Sequence, residues 1–433
     1  MANGALSCQC YLDYCGLNSL LRSTATLVSG ATVARGIGLA TIPILSRLYS
    51  PSDLGVFALY SSTVLVLAPL ATLRYHIAIP LPRSERSAAA LLILCGAIAL
   101  GYTFFLAAAM LIAGEAIFRS FSLDSLIPYL LLIPFGVLAA SLFETMTMWA
   151  TRQRAFKMIA STQVVQSFVG EVLKVGLGLA GIGSAGLIVG HLFGHSSGVA
   201  NYSLHSAWRI HTAVRGMPLR LIKIVAVRFR GFPLTRTPGQ ILLALATQAP
   251  LFLVAANYDV SVTGQMSIAM LAFMAPFALI GQAAGRAYFA EISVIGTARP
   301  NLIKRELRKV TWMLALFAAP IAVILFFFSE PAASFLLGQR WAQAGRFVSM
   351  LSLALVPQFV SATVIRTLDL LEAHALVICL HATRLLAIIA AFSSAAAFGA
   401  SPEQAILTFS LVLGGHYIIQ NLLIHLALNR QER

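Results

Sequence analysis

Long apolar stretches recur along this chain, and the positive charges sit almost entirely between them. Residues 87–114 contain no Asp, Glu, Lys or Arg, and neither do residues 312–329. A run of about 18 or more apolar residues reads as a membrane-spanning helix. On that pattern we place spans at 24–45, 54–73, 87–113, 126–149, 158–180, 184–204, 238–257, 262–284, 311–329, 344–366, 374–398 and 404–426. The expectation is an all-α polytopic membrane protein. Its twelve or so transmembrane helices would form two six-helix bundles around a central cavity. Pro43, Pro69, Pro134, Pro250, Pro276, Pro320 and Pro357 fall inside spans and are expected to kink them.

Composition narrows the class. The chain has 433 residues, 59% hydrophobic and only 10% charged, where a soluble protein averages roughly 25% charged. So few charges cannot coat a globular surface of this size. The net charge of +15 would suggest nucleic acid in a soluble protein. Here the basic residues are spread over many short connections, which fits the positive-inside rule instead. With both termini inside, the inner connections hold about 23 of the 30 basic residues. An N-in, C-in topology with an even number of spans follows. Trp149, Trp208, Trp312 and Trp341 fall near span ends, where interfacial anchors belong.

The longest connection divides the chain into residues 23–204 and 237–433. It runs over 205–236 and carries seven Arg or Lys and no acid. Leu219, Leu221, Ile222, Ile224 and Val225, interleaved with those cations, predict an amphipathic helix lying on anionic headgroups at the cytoplasmic face. Residues 1–22 read as an unstructured cytoplasmic tail. They lack the basic start and apolar core of a cleavable signal, so the first span is expected to remain. Cys8, Cys10 and Cys15 crowd this tail, but no His or further Cys pair completes a zinc site. No outer connection is long enough for a soluble domain. No P-loop, H-E-x-x-H or nucleophile elbow is present.

Ile44-Leu-Ser-Arg-Leu-Tyr-Ser-Pro-Ser-Asp-Leu-Gly55 follows the first span. In this segment and several later ones the chain resembles the Wzx-type polysaccharide flippases of the multidrug/oligosaccharidyl-lipid/polysaccharide exporter superfamily. Leu73-Arg-Tyr-His-Ile-Ala-Ile79 and Thr151-Arg-Gln-Arg-Ala-Phe156 resemble its next two inner turns. Gly231-Phe-Pro-Leu234 opens the seventh span as the family does, and Leu337-Gly-Gln-Arg-Trp-Ala-Gln-Ala-Gly345 resembles a later element. His76, Gln339 and Arg340 stand where the family commonly has acids. The resemblance implies a bacterial inner-membrane flippase that makes and breaks no bond and needs no cofactor. Its substrate would be an undecaprenyl-pyrophosphate-linked oligosaccharide for surface polysaccharide such as O-antigen. The partners would be that lipid, membrane lipids and glycan polymerases. The alternatives are a drug antiporter of the same superfamily and a membrane-embedded enzyme of glycan assembly. The basic intramembrane residues argue against cationic drugs, and the lack of a large outer loop against a polymerase.

Ionisable residues inside spans are costly, about 2.5–3.5 kcal/mol on insertion scales, and therefore face a cavity or a partner. Arg35 is mid-span, with Gly30, Gly36 and Gly38 around it, and suits bidentate binding of pyrophosphate. Glu171 and Lys174 share a helix face. They read either as a structural pair or as a proton site at Glu171, with Lys174 tuning it or binding substrate. Glu144 is a second candidate coupling acid. Arg384 lies near mid-span in the eleventh helix and Arg74 ends the second. Gln240, Thr247 and Gln248 fall on one face of the seventh span, and Gln282 and Arg286 near the inner end of the eighth. All are candidates for a hydrated cavity that contacts sugar and phosphate. His191 and His195 are four apart, but no third metal ligand accompanies them.

Overall fold

The computed structural model describes residues 3–296 and 299–430; for 3–24, 273–276, 278–279, 282, 374 and 430 it describes the backbone only. Twelve long helical stretches account for the chain. They are α1 (Asn3–Leu48), α2 (Pro51–Ala71), α3 (Glu85–Ser120, with a π turn at Met110–Gly114), α4 (Leu132–Arg152), α5 (Phe156–Leu179) and α6 (Ser184–Val214). The second set is α7 (Phe232–Asn257), α8 (Val260–Ile295), α9 (Pro300–Leu337), α10 (Gln339–Leu370), α11 (His374–Ala397) and α12 (Pro402–Arg430). Nine of the twelve are long and apolar enough to cross a membrane by themselves, α5, α6 and α8 being the others. The protein is a multi-pass, all-helical membrane protein.

Two expectations about ends are corrected. Residues 3–22 are not coil but the start of α1, because no proline interrupts the 46-residue helix before Pro43. The sixth span does not stop at 204: α6 continues to Val214, so a third of the expected linker is helix. Cys8, Cys10 and Cys15 lie outside the residues whose side chains are described.

The helix pairings repeat between the halves. Contacts α1·α5, α5·α6, α4·α6, α2·α4 and α3·α4 build the first bundle. The same pairings, six helices on, build the second: α7·α11, α11·α12, α10·α12, α8·α10 and α9·α10. The bundles meet chiefly where α2 packs on α7 and α8. α10 is the broken member of the second bundle, with a 3-10 turn at Ser352–Ala354 ahead of Pro357.

At the end opposite the termini, hereafter the far end, the halves are latched. Ser50 and Asp53 form a capping box at 3.1 and 3.0 Å, with Pro51 at the first helical position, so α2 starts sharply after α1. Gly55 of α2 then lies against the Val260 carbonyl of α8, and Gly264 of α8 against the Pro51 carbonyl. A side chain at either position would meet backbone, so the approach requires glycine. Trp341 Nε1 and the Arg340 guanidinium both donate to the Ser46 carbonyl, the former at 2.9 Å. Gln265 donates to the Arg340 carbonyl at 2.6 Å and accepts the Ala344 N–H at 3.0 Å. Leu45, Tyr49, Leu54, Leu187, Ile268 and Trp341 pack around this joint.

The linker helix, Arg220–Arg228, does not rest its whole apolar face on headgroups. Leu221, Ile222, Val225 and Phe229 pack instead on a cluster built from Tyr75, Ile79 and the start of α3, and Tyr75 donates to the Ala226 carbonyl at 3.0 Å. Leu219, Ile224 and Val227 remain exposed among the cations. Two of the four expected interfacial tryptophans, Trp149 and Trp341, are buried inside the protein, and Trp208 and Trp312 are exposed.

Candidate functional site: a polar pocket in the first bundle

α5 and α6 carry the polar residues that lower their hydropathy, and they form one wall of a pocket inside the first bundle. It has a volume of about 390 Å³ and is lined from α1, α4, α5 and α6. The two helices approach closely because Gly186, Gly190, Gly194 and Gly198 recur every fourth residue along one face of α6. Gly190 rests on Lys174 and the Gly170 carbonyl, and Gly194 on Gly170 and Gln166. That glycine spacing was visible in the sequence and marks this wall; reading for charges alone passed over it.

Three of the expected site residues meet in this pocket: Arg35, Glu171 and Lys174. Lys174 Nζ donates to Glu171 at 2.8 Å, and the other carboxylate oxygen accepts from Thr41 of α1 at 2.9 Å. The two side chains are only 11% and 13% exposed, so this is a shielded ion pair. Lys174 also lies 5.1 Å over the Phe57 ring of α2, a cation–π contact within the first bundle that ties the pair to the helix on which the other bundle packs. Arg35 is exposed at the rim, and among the described residues no carboxylate pairs with it. With one acid against two bases, the pocket carries a surplus positive charge. His191 and His195 stack edge to face at 4.8 Å, and His195 Nδ1 is 2.9 Å from the Gln166 amide. Among the described residues no group of three metal-ligating side chains exists. Gln163 and Ser167 complete a lining suited to hydroxyl-rich ligands.

A second cluster sits where α2 ends, near the termini. Leu73 and Arg74 both take left-handed backbone, φ 47° and 60°, a costly pair for residues with side chains. This turn brings His76 Nε2 to 3.4 Å from Glu144 of α4 and His76 Nδ1 to 2.7 Å from the Thr72 hydroxyl. Burial, with the Arg74 charge beside it, holds the His76 pKa down at about 4. The imidazole is therefore neutral at pH 7, and it meets Glu144 as a polar neighbour and not as a cation. Arg74 Nε is buried without a hydrogen-bond partner. Glu144 thus belongs to this cluster, apart from Glu171.

The remaining candidates separate. Gln248 accepts from Ser62 of α2 at 2.8 Å, on the seam between bundles. Its neighbour Thr247 turns the other way, into a pocket of the second bundle shared with Arg384. The expected single polar face of α7 is therefore split between two environments. Gln240 is half-buried and Arg286 exposed; the Gln282 side chain lies outside the described residues.

Solved structures share this architecture. The inward closed conformation of the lipid II flippase MurJ matches with a TM-score of 0.69 at 14% identity, over 92% of this chain and 87% of that one. An outward-facing multidrug resistance MATE family transporter of the MOP superfamily matches at 0.64 and 13%, over 95% and 96%. A MOP superfamily transporter from Pyrococcus furiosus, described as having a binding pocket of reverse polarity, matches at 0.64 and 12%, over 95% and 96%. At these identities the likeness is one of fold. No curated protein matches the sequence. Residues 44–346, well over half of the chain, match the polysaccharide biosynthesis protein family, and the protein belongs to that family.

Proposed function

We propose that this protein is a flippase that moves a lipid-linked oligosaccharide, attached through undecaprenyl pyrophosphate, across the bacterial inner membrane for surface polysaccharide such as O-antigen. The observation that carries the reading is the cationic, hydroxyl-binding pocket around Arg35 and Lys174, held within a transporter fold by a chain of this family. An anionic headgroup crossing a bilayer needs a counter-charge where water is scarce, and Arg35 offers five donors in a planar fork. Polar side chains around it suit sugar. Arg74 and Gln240 would receive the headgroup at the near end, and Gln248 and Gln282 would line its path. Glu171 and Glu144 are the candidate coupling groups.

With the termini in the cytoplasm, the latched far end is the periplasmic one. The conformation is then one that admits substrate from the cytoplasmic side, and alternating access requires the Ser46, Gly55 and Trp341 contacts to part. The test is complementation of a bacterium lacking its own O-antigen flippase. Restored surface glycan is expected. Intact lipid-linked repeat units left on the cytoplasmic leaflet, with the protein present at normal level, would refute the reading.

A further inference from the structure

The second bundle holds a pocket at the place where the first holds the Arg35 pocket. α7, α10, α11 and α12 line it, as α1, α4, α5 and α6 line the other, with Met270 of α8 added. The two differ in size and in charge balance. This cavity is about 80 Å³. Its walls are mostly apolar, with Pro250, Leu351, Ile388, Phe409 and Leu413 among them. Its one charge is Arg384.

In the first bundle Lys174 has Glu171. Among the described residues Arg384 has no carboxylate. Among the described residues its guanidinium donates to two neutral oxygens, Tyr417 at 3.3 Å and Thr247 at 3.5 Å, both long for a charged donor. Its Nε is buried with no hydrogen-bond partner at all. The Thr247 hydroxyl spends its proton on the Leu243 carbonyl at 2.7 Å. The Tyr417 proton has no acceptor among the described residues. His381 and His416, the other titratable groups near Arg384, offer no negative charge. Arg384 is half-buried with its Nε shielded, and a guanidinium facing an apolar cavity without a counter-charge is unfavourable.

We infer that the Arg384 pocket is a binding site for a single small monovalent anion of the halide class, held by the guanidinium and the Tyr417 hydroxyl. The cavity is too small and too apolar for a pyrophosphate or a sugar, so this site is separate from the glycan-lipid pocket and stands whether or not the transported lipid is the one proposed above. A bound chloride would neutralise Arg384 and brace α7, α11 and α12 against one another.

The experiment uses the purified full-length protein in detergent and follows thermal unfolding. Sodium chloride or bromide is titrated against sodium gluconate at constant ionic strength, with sodium phosphate as a third series. A ligand that binds only the folded state lowers the unfolded population about 100-fold at 100 times its dissociation constant. The wild type should show a saturable rise in melting temperature with either halide and none with phosphate. Arg384→Gln should be flat, Tyr417→Phe should need more halide, and Arg35→Gln should respond like wild type. If Arg384→Gln does not fold, Tyr417→Phe and Arg384→Lys carry the comparison. A wild type indifferent to halide, a phosphate response of equal size, or an undiminished halide response in Arg384→Gln and Tyr417→Phe would each overturn the inference.

Discussion

The indole of Trp341 donates to the Ser46 carbonyl at 2.9 Å, and in doing so joins the turn before α10 to the end of α1. It is one of few direct hydrogen bonds between the two bundles, and it lies at the end where they are shut. Trp341→Phe keeps most of the packing and removes the donor. One such bond is worth about 1 kcal/mol, roughly a five-fold change in a two-state population. We expect a cysteine at Ser62, buried on the seam, to react about five times faster with a thiol reagent supplied at the far end. An unchanged rate would mean that this bond does not hold the latch.

Gly264 makes a stronger test of the same joint. A methyl group there would meet the Pro51 carbonyl, and backbone cannot step aside as a side chain can. Gly264→Ala should hold the far end open, abolish export and leave protein level normal. Gly101→Ala, which faces open space, is the control and should export normally. Full export by Gly264→Ala would show that the close approach is not part of the cycle.

The fold was legible because lipid demands long apolar helices, and nine of the twelve are apolar enough to show by themselves. The motif resemblance was legible for a different reason. Ser50, Asp53 and Gly55 make a cap and a close contact. Arg152 ties α4 to the carbonyls of the turn before α3, and Trp341 latches the halves. Those motifs mark joints between helices. The site was harder. Charges mid-span identified Arg35, Glu171, Lys174 and Arg384, but not which shared a pocket, because that depends on how α1 and α6 pack against α5. Thr247 and Gln248 are neighbours in sequence, and only the packing of α2 and α11 on opposite sides of α7 sends them apart.

The proposed orientation, with both termini inside, rests on the basic connections and can be tested directly. With a cysteine-free background, a probe at Asp259 in the α7–α8 turn should be labelled from outside intact cells, and one at Arg220 on the linker helix should not. Both positions are exposed, so access to the compartment decides the result. Outside labelling at Arg220 would invert the topology and, with it, the direction in which the latched state faces.

The Glu171–Lys174 pair should behave as a coupled unit. Glu171→Gln leaves a shielded ammonium without its counter-charge, which costs about 3 kcal/mol where such pairs are buried. Adding Lys174→Met should recover most of that loss, read as the melting temperature of the purified protein. If the double variant is less stable than Glu171→Gln, the two charges do not act as a pair.

Arg35 differs from Lys174 in having no acid beside it among the described residues, although Glu171 lines the same pocket. On the proposed reading, its guanidinium serves an anion that arrives from outside the protein. Arg35→Ala should therefore abolish glycan export while the protein inserts at its usual level. Arg35→Lys keeps the charge and loses the planar fork, so export should fall but persist. Export and membrane protein must be measured on the same cells. Full export by Arg35→Ala would remove Arg35 from the substrate path. Loss of the protein itself in both variants would show that Arg35 holds the bundle together through a contact formed in another state of the cycle.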